Sequence, residues 1–138
     1  MADEFIYVLD ACAVVALLEG EPGAEVVESL LQQENSVFLL HAVNACEIFY
    51  HTYRRAGEAR ARGLTVLFQR LNLNLEPSLP SDLWESAGTI KALRARISLA
   101  DCIALALAID RGGTLVTSDH HEFDSVAESG ICPVQFIR

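Results

Sequence analysis

The sequence predicts an α/β protein, a three-layer α/β/α sandwich with a central, mainly parallel sheet. Short apolar runs alternate along the chain with longer segments in which apolar residues recur at helical spacing. The first run, Phe-Ile-Tyr-Val-Leu, is apolar throughout, which is typical of a parallel strand buried on both faces of a sheet. The length of 138 residues suits one domain, so we expect residues 1–138 to form a single domain.

The boundaries of the predicted elements follow from these runs and from the breaks between them. Gly and Pro mark two of the breaks, at residues 19–23 and 112–113. Strands are predicted over residues 5–9, 37–40, 73–76, 114–117 and 132–137. Helices are predicted over residues 11–18, 24–33, 41 to about 53, 58–72, 79 to about 96, 98–111 and 120–128.

Composition favours a soluble protein of ordinary globular type. Hydrophobic residues make up 51% of the chain and charged residues 21%. The longest apolar runs fall far short of the roughly 20 residues that a membrane-spanning helix needs. The first four residues, Met-Ala-Asp-Glu, are acidic, whereas a secretory signal begins with basic residues, so we expect a cytoplasmic protein.

The cysteines argue against a structural zinc site. Cys12, Cys46, Cys102 and Cys132 lie far apart, and no two of them have the Cys-x-x-Cys spacing of a zinc knuckle. In an intracellular protein such cysteines are usually buried free thiols, and we expect that here.

The net charge of −9 argues at first sight against nucleic acid as a partner. The basic residues are unevenly distributed, however, because the first 53 residues contain neither Lys nor Arg and eight of the ten basic residues lie between Arg54 and Arg96. Such clustering can produce one basic face on an acidic molecule, or simply solvated helix surfaces. The best candidates for contacts with phosphates are Arg54, Arg55, Arg60 and Arg62.

Four acidic residues stand where an α/β fold places its ligands. Asp10 and Asp119 each follow a predicted strand, and Asp101 lies in the first turn of a predicted helix. Each of these three also has a structural explanation as a helix cap or first-turn acid, and Ser98 with Asp101 has capping-box spacing. Glu47 is harder to explain in this way, because it interrupts an apolar helix and a buried glutamate needs a partner.

A metal site explains the four acids together. Carboxylates gathered at one sheet edge raise one another's pKa unless a cation neutralises them, and hard oxygen ligands select Mg²⁺ or Mn²⁺. Such an ion polarises a phosphoryl oxygen and stabilises a leaving oxygen, which is the chemistry of phosphodiester hydrolysis. We therefore predict Asp10, Glu47, Asp101 and Asp119 as catalytic and metal-binding residues.

Several neighbouring residues are candidates for supporting roles. Asn44 lies on the same helix face as Glu47, and Thr117 and Ser118 directly precede Asp119. The sequence around Asp119 also suggests a weaker hypothesis, a zinc site, although an exposed polar turn explains it as well. That hypothesis involves His120, His121, Glu122 and Asp124.

Four segments occur in order along nearly the whole chain. Residues 8–13 read Val-Leu-Asp-Ala-Cys-Ala and are followed by Leu17, Leu18 and Glu-Pro-Gly at 21–23; residues 43–48 read Val-Asn-Ala-Cys-Glu-Ile. Residues 99–104 read Leu-Ala-Asp-Cys-Ile-Ala, and residues 115–123 contain Thr-Ser-Asp and then Phe. Together they resemble the motifs of the PIN-domain family, and most closely those of its VapC-type toxin ribonucleases.

The resemblance implies an endoribonuclease that depends on Mg²⁺ or Mn²⁺, acts on RNA, forms a homodimer and is inhibited by a cognate antitoxin. The acidic pocket would suit an arginine from the antitoxin, and an apolar helix of that partner would pack along residues 41–71. Cys12 departs from the family, which often has Ser or Thr there, and a thiol is the weaker hydrogen-bonding group.

Two alternatives stay open at this point: a PIN-domain nuclease for RNA processing that has no antitoxin, and a PIN-like binding scaffold without catalysis. Other α/β classes fit less well. A phosphatase of the haloacid dehalogenase type would have a second Asp where Cys12 stands, and a receiver domain would have a late lysine, whereas the only lysine is Lys91.

Overall fold

A computed structural model describes residues 4–138, which form one five-stranded sheet covered by helices. All four strand pairings are parallel, and the strand order is β3-β2-β1-β4-β5. The predicted α/β/α class with a parallel sheet is therefore confirmed. The strands are β1 (Phe5–Leu9), β2 (Ser36–His41), β3 (Leu73–Glu76), β4 (Thr114–Thr117) and β5 (Val134–Phe136).

Eight helices connect these strands. The five helices that precede β3 in the chain are α1 (Ala11–Glu19), α2 (Ala24–Leu31), α3 (Ala42–Ala56), α4 (Glu58–Arg62) and α5 (Leu64–Arg70). The later helices are α6 (Ser81–Leu93), α7 (Leu99–Asp110) and α8 (His120–Ser129).

The sheet separates two apolar cores because neighbouring residues of a strand face opposite sides. Val8 of β1 packs with Leu115 of β4 beneath α6, α7 and α8. Leu9 and Val116, the next residue of each strand, pack on the other face with α1, α2, α3 and α5. Helix α7 is almost wholly buried, which explains why its sequence is apolar on every side.

Two predicted helices differ from the structure. The single helix expected over residues 58–72 is two helices, α4 and α5, and the interruption falls at Gly63, since glycine is a poor helix former. Helix α6 ends at Leu93 rather than near residue 96, because Arg94 leaves the helical region (φ −132°, ψ 68°) and Ile97 turns into the core.

The four cysteines are free, as expected, but only Cys102 and Cys132 are buried; the expected burial is wrong for Cys46, which is exposed, and Cys12 is only partly buried. Within residues 4–138, no helix combines the length and the apolar character that crossing a bilayer requires. The prediction that the chain begins without a secretory signal used its first four residues, and three of these, Met1 to Asp3, lie outside the described residues.

Candidate active site

The site lies at the carboxyl edge of the sheet, where β1 and β4 run side by side. Leu9 pairs with Val116, so the residues that follow them, Asp10 and Thr117, reach the same edge. The Asp10 amide also donates a hydrogen bond to the Val116 carbonyl (3.2 Å). This neighbourhood depends on the strand order, since more than 100 residues separate the two strands in sequence.

Asp10 is fully buried and caps helix α1. Its Oδ1 accepts hydrogen bonds from the Ala13 amide and the Cys12 thiol, both at 3.0 Å. Its Oδ2 is buried with no hydrogen-bond partner among the described residues. Burial is the main reason why the pKa of Asp10 rises to about 6, and the charge of Asp119 adds to it, whereas hydrogen bonds from Thr117, Cys12 and Ala13 lower it.

Asp119 caps helix α8 in the same manner as Asp10 caps α1. Its Oδ1 accepts from the Glu122 amide at 2.9 Å, and its own amide donates to the Thr117 hydroxyl oxygen at 3.0 Å. Thr117 is completely buried, and its hydroxyl also lies 3.6 Å from the Cys12 sulfur. Thr117 thus connects the two acidic caps, while Ser118 interacts with the Cys12 thiol.

Glu122 is a fifth carboxylate of this cluster, and the site prediction omitted it. Its Oε1 accepts from the Ser98 amide at 2.9 Å, and its Oε2 is buried and unpaired among the described residues. Ligand oxygens of Asp101, Asp119 and Glu122 lie within 4.8 Å of one another. The sequence contains a signal for this position, because Asp119 and Glu122 have the three-residue spacing of a capping box. That spacing places Glu122 on the first turn of α8, next to the capping residue.

Asp101 lies in the first turn of α7, which Ser98 caps by accepting from the Asp101 amide at 3.3 Å. The pKa of Asp101 is raised well above its ordinary range, chiefly by burial. The neighbouring carboxylate of Glu122 raises it further, as do the charges of Asp10 and Glu47.

Helix α3 supplies Glu47 and Asn44. Burial is the largest cause of the raised pKa of Glu47, and the charges of Asp10 and Glu122 contribute, so Glu47 belongs to the same electrostatic cluster. Asn44 is fully buried three residues earlier, and neither its amide nitrogen nor its amide oxygen has a partner among the described residues. Such orphaned polar atoms are uncommon in native structures and require an explanation.

The capping and metal hypotheses are compatible, since each capping aspartate uses one oxygen. Asp10 and Asp119 both accept helix amides through Oδ1, which leaves Oδ2 available. Within residues 4–138, no ion pair joins Lys, Arg or His to any of the five clustered acids.

The donor set fits a hard divalent cation. It consists of carboxylate oxygens, two of them buried without partners, and the pKa values of Asp10, Glu47 and Asp101 are raised by burial and by neighbouring negative charge. Magnesium and manganese prefer such oxygen ligands, and a bound cation removes the mutual repulsion. The ligand oxygens that lie close enough together to hold it belong to Asp101, Asp119 and Glu122, whereas Asp10 and Glu47 interact with this cluster through their charges.

The histidines next to Asp119 lie outside this cluster. His120 interacts with Asp124 and with the Arg138 carbonyl, both at 2.7 Å, and its ring stacks on Phe136 at a centroid distance of 4.0 Å. Of the four residues in the zinc hypothesis, only Glu122 belongs to the group that can hold a metal in residues 4–138.

The four arginines predicted to bind phosphate lie near the end of α3 and on α4. Arg55 forms an ion pair with Glu19 at 2.9 Å, and Arg62 forms one with Glu58 at 3.3 Å. Arg54 lies over the ring of Tyr50, whereas Arg60 is exposed. Arg54 follows Glu47 by seven residues, roughly 10 Å along the helix axis.

Solved structures of the same fold come from toxin–antitoxin systems. VapBC2 of Rickettsia felis, bound to a promoter DNA fragment, aligns with TM-score 0.71 and 18% identity over 96% of this chain and 98% of that chain. VapBC-1 of nontypeable Haemophilus influenzae aligns with TM-score 0.69 and 20% identity over 96% and 98%. VapC20 of Mycobacterium tuberculosis, described as a toxin that cleaves the sarcin–ricin loop, aligns with TM-score 0.66 and 18% identity over 79% and 86%.

At the level of sequence, no curated protein matches this chain directly. The PIN domain family does match, over residues 7–129. This span begins within β1 and ends with α8, so it contains all five clustered carboxylates. The chain belongs to the PIN domain family.

Proposed function

We propose that the protein is a metal-dependent endoribonuclease and the toxin of a toxin–antitoxin pair. The observation that carries this proposal is the unpaired buried carboxylate oxygens at the sheet edge, Asp10 Oδ2 and Glu122 Oε2. A folded protein tolerates such costly groups when a ligand compensates them, and a bound cation relieves the repulsion between neighbouring carboxylates. A scaffold without catalysis would have no use for them.

Each residue has a distinct part in this proposal. Asp10, Asp101, Asp119 and Glu122 hold Mg²⁺ or Mn²⁺, and Glu47 either binds the ion or orients a water beside it. A bound divalent ion supplies charge stabilisation at a phosphodiester group and lowers the pKa of water. Thr117 holds the two capping aspartates in position. Asn44 provides a buried amide for a water or for the substrate.

RNA is the proposed substrate because PIN-fold relatives act on it. One structural neighbour is described as a toxin that cleaves the sarcin–ricin loop, and others are toxin–antitoxin complexes. RNA recognition of this kind depends on loops and unstacked bases, and these can approach a site at the edge of a sheet.

An antitoxin partner has a suitable surface on α3, α5 and β3. These elements enclose an apolar groove of about 470 Å³. Its lining includes Ala45, Phe49, Phe68 and Leu75, and we propose that an apolar helix of the antitoxin packs there. An arginine of the same partner would then compete with the metal by pairing with the carboxylates. We also propose a homodimer, in which exposed apolar side chains such as Trp84 and Leu93 become covered.

The nuclease proposal is tested by incubating the purified protein with RNA and Mn²⁺ or Mg²⁺. We expect cleavage that EDTA abolishes, and at least about a 100-fold loss of rate in Asp101→Asn and in Glu122→Gln. The matched control is Asp124→Asn, which removes an acid from the same helix as Glu122 but from outside the cluster. This control should cleave at the wild-type rate.

Undiminished cleavage by Asp101→Asn, or cleavage that persists in EDTA, would contradict the assigned site. Absence of cleavage together with absence of thermal stabilisation by Mn²⁺ would favour a binding scaffold, because a ligand that binds the native state raises its stability.

The partner proposals have separate tests. A small reading frame beside the gene should encode an inhibitor that co-purifies with this chain. Thr65→Glu at the groove should weaken that complex, while Thr89→Glu on α6 should not. Light scattering should give twice the chain mass; a monomer at all concentrations would rule out the homodimer.

A further inference from the structure

The segment between α6 and α7, residues 94–98, carries an exposed arginine beside the carboxylate cluster. Arg96 forms no ion pair within residues 4–138. The predicted helix over residues 79 to about 96 would place Arg96 at its end. In the structure it lies on a turn, since the Ile97 amide donates to the Arg94 carbonyl at 3.1 Å.

This turn is held firmly by groups on either side of Arg96. The only lysine of the chain, Lys91, donates to the carbonyls of Ala95 and Ile97, both at 2.8 Å. Ile97 is buried in the core with 1% of its surface exposed. An arginine on such a fixed turn loses little conformational entropy beyond that of its own side chain when it binds a ligand.

The turn is also joined directly to the site. The Ser98 amide donates to Glu122 Oε1 at 2.9 Å, and the Arg94 guanidinium donates to the Ser125 hydroxyl on α8 at 3.4 Å. Arg96 precedes Ser98 by two residues, so their Cα atoms are at most roughly 7 Å apart. An arginine side chain is long enough to span that separation, so the position of Arg96 allows its guanidinium to reach a strand bound at the cluster.

Several of the other arginines are already paired or lie away from the site, whereas Arg54 and Arg60 stay candidates for contacts farther along the strand. Arg55, Arg62, Arg111 and Arg138 already lie within ion-pair distance of carboxylates. Arg70 is exposed like Arg96, but it ends α5 just before β3 begins, and therefore lies at the amino edge of the sheet, opposite the site.

We infer that Arg96 binds a backbone phosphate of the RNA strand next to the bond that is cleaved, and that Lys91 is a positioning residue for it. This inference rests on the proposed nuclease function. A strand that approaches five carboxylates needs a cation at the rim as well as one at the centre, because its phosphates are otherwise repelled. Arg96 supplies that charge, with Arg94 as its neighbour on the same turn. The contact is with the backbone, so it strengthens binding without selecting a base.

The test measures binding separately from cleavage. Fluorescence anisotropy follows a labelled single-stranded RNA oligonucleotide in Ca²⁺, a cation that also takes oxygen ligands, over a range of salt concentrations, and a gel checks that the probe stays intact. We expect Arg96→Gln to weaken binding about three- to tenfold and to reduce the slope of log K against log salt by about 0.7. Arg96→Lys should keep the wild-type slope, and Arg70→Gln is the matched control that should behave as wild type.

In Mn²⁺, Arg96→Gln should raise KM and leave kcat near the wild-type value, since the cluster itself is intact. An unchanged salt slope in Arg96→Gln, or an equal change in Arg70→Gln, overturns the inference about Arg96. The proposed function is judged separately, and RNA cleavage by the wild type upholds it. A wild type that binds RNA without cleaving it removes the function, and the slopes still decide the role of Arg96. A wild type that neither binds nor cleaves RNA refutes both.

Discussion

Two buried polar side chains, Asp10 and His41, stand at the carboxyl ends of the adjacent strands β1 and β2. Each caps the helix that follows its strand: Asp10 accepts the Ala13 amide, and His41 Nδ1 accepts the Val43 amide at 3.1 Å. His41 is fully paired, because its Nε2 donates to the Ser78 carbonyl at 2.8 Å. Asp10 is not, because its Oδ2 has no partner among the described residues.

The difference separates structure from function at equivalent places in the fold. A buried polar group with all its hydrogen bonds stabilises the native state or is nearly neutral, whereas a buried charge without a partner lowers stability. His41 therefore has the properties of a structural residue. Asp10 has those of a residue kept for a ligand, and its raised pKa expresses the same cost. Four experiments test this contrast.

Asp10→Asn should abolish function while sparing the fold. The amide oxygen can still accept from Ala13, but the negative charge is lost, so we expect RNA cleavage to fall at least about 100-fold. Stabilisation by Mn²⁺, about 2.7 kcal/mol at a concentration 100 times Kd for the wild type, should disappear. Thermal melting with and without Mn²⁺ measures this; a variant that keeps full metal stabilisation would remove Asp10 from the site.

The pH dependence of stability should reveal the cost of Asp10. Between its ordinary pKa of 3.8 and its folded value of about 6, the folded protein holds a proton that the unfolded chain has lost. This term therefore lowers the stability of the metal-free protein as pH rises from about 4 to 6, by about 3 kcal/mol in total.

The measurement is the difference in unfolding free energy between wild type and Asp10→Asn at several pH values without metal. The variant should gain on the wild type up to about pH 6, and saturating Mn²⁺ should cancel that gain. A difference that does not vary with pH would show that Asp10 titrates normally.

His41→Leu should lower stability without altering the chemistry. It leaves the Val43 amide and the Ser78 carbonyl unpaired, and we expect a loss of about 2–3 kcal/mol in urea unfolding, with little change in kcat of the folded protein. His51→Leu, within the helix α3 that His41 caps, is the control, since His51 is partly exposed and its one ion pair in residues 4–138 is with Glu19. It should cost less than about 1 kcal/mol. A large fall in kcat of the folded His41→Leu protein would contradict the structural role assigned to His41.

Thr117→Val should have the smallest effect, because Thr117 acts on the acids only through its hydroxyl. Loss of the hydroxyl leaves the Asp119 amide without its acceptor and removes a donor near Asp10. We therefore expect the cleavage rate to fall roughly tenfold and the free energy of unfolding to fall by about 1 kcal/mol. Thr117→Ser should restore most of the rate, and Thr89→Val on α6 should change nothing. Failure of the serine variant to recover would mean that packing of the methyl group matters more than the hydroxyl.

The local part of the structure was predictable from sequence. The apolar runs located all five strands to within two residues at each end, and Asp10, Asp101 and Asp119 lie at the strand ends and helix starts where they were expected. The mistakes in helix length fall at two residues: Gly63, which as a glycine is a poor helix former, and Arg94, which leaves the helical region where Ile97 turns into the core.

That Glu122 belongs to the carboxylate cluster was harder to predict from sequence. Ser98 and Glu122 are 24 residues apart, and their contact requires α7 and α8 to begin at the same sheet edge. Likewise, the ion pair between Arg55 and Glu19 joins residues 36 positions apart, which local patterns do not reveal.

The alternation of strands and helices, and the acidic residues at their ends, follow from the sequence alone, because hydrophobic periodicity and capping act over a few neighbouring residues. The contacts between distant segments follow from the tertiary structure: these contacts set which acidic residues meet, which arginines form ion pairs and which buried oxygens have no partner. The strand order β3-β2-β1-β4-β5 brings distant segments to one edge, and the pKa of a carboxylate depends on everything that packs around it.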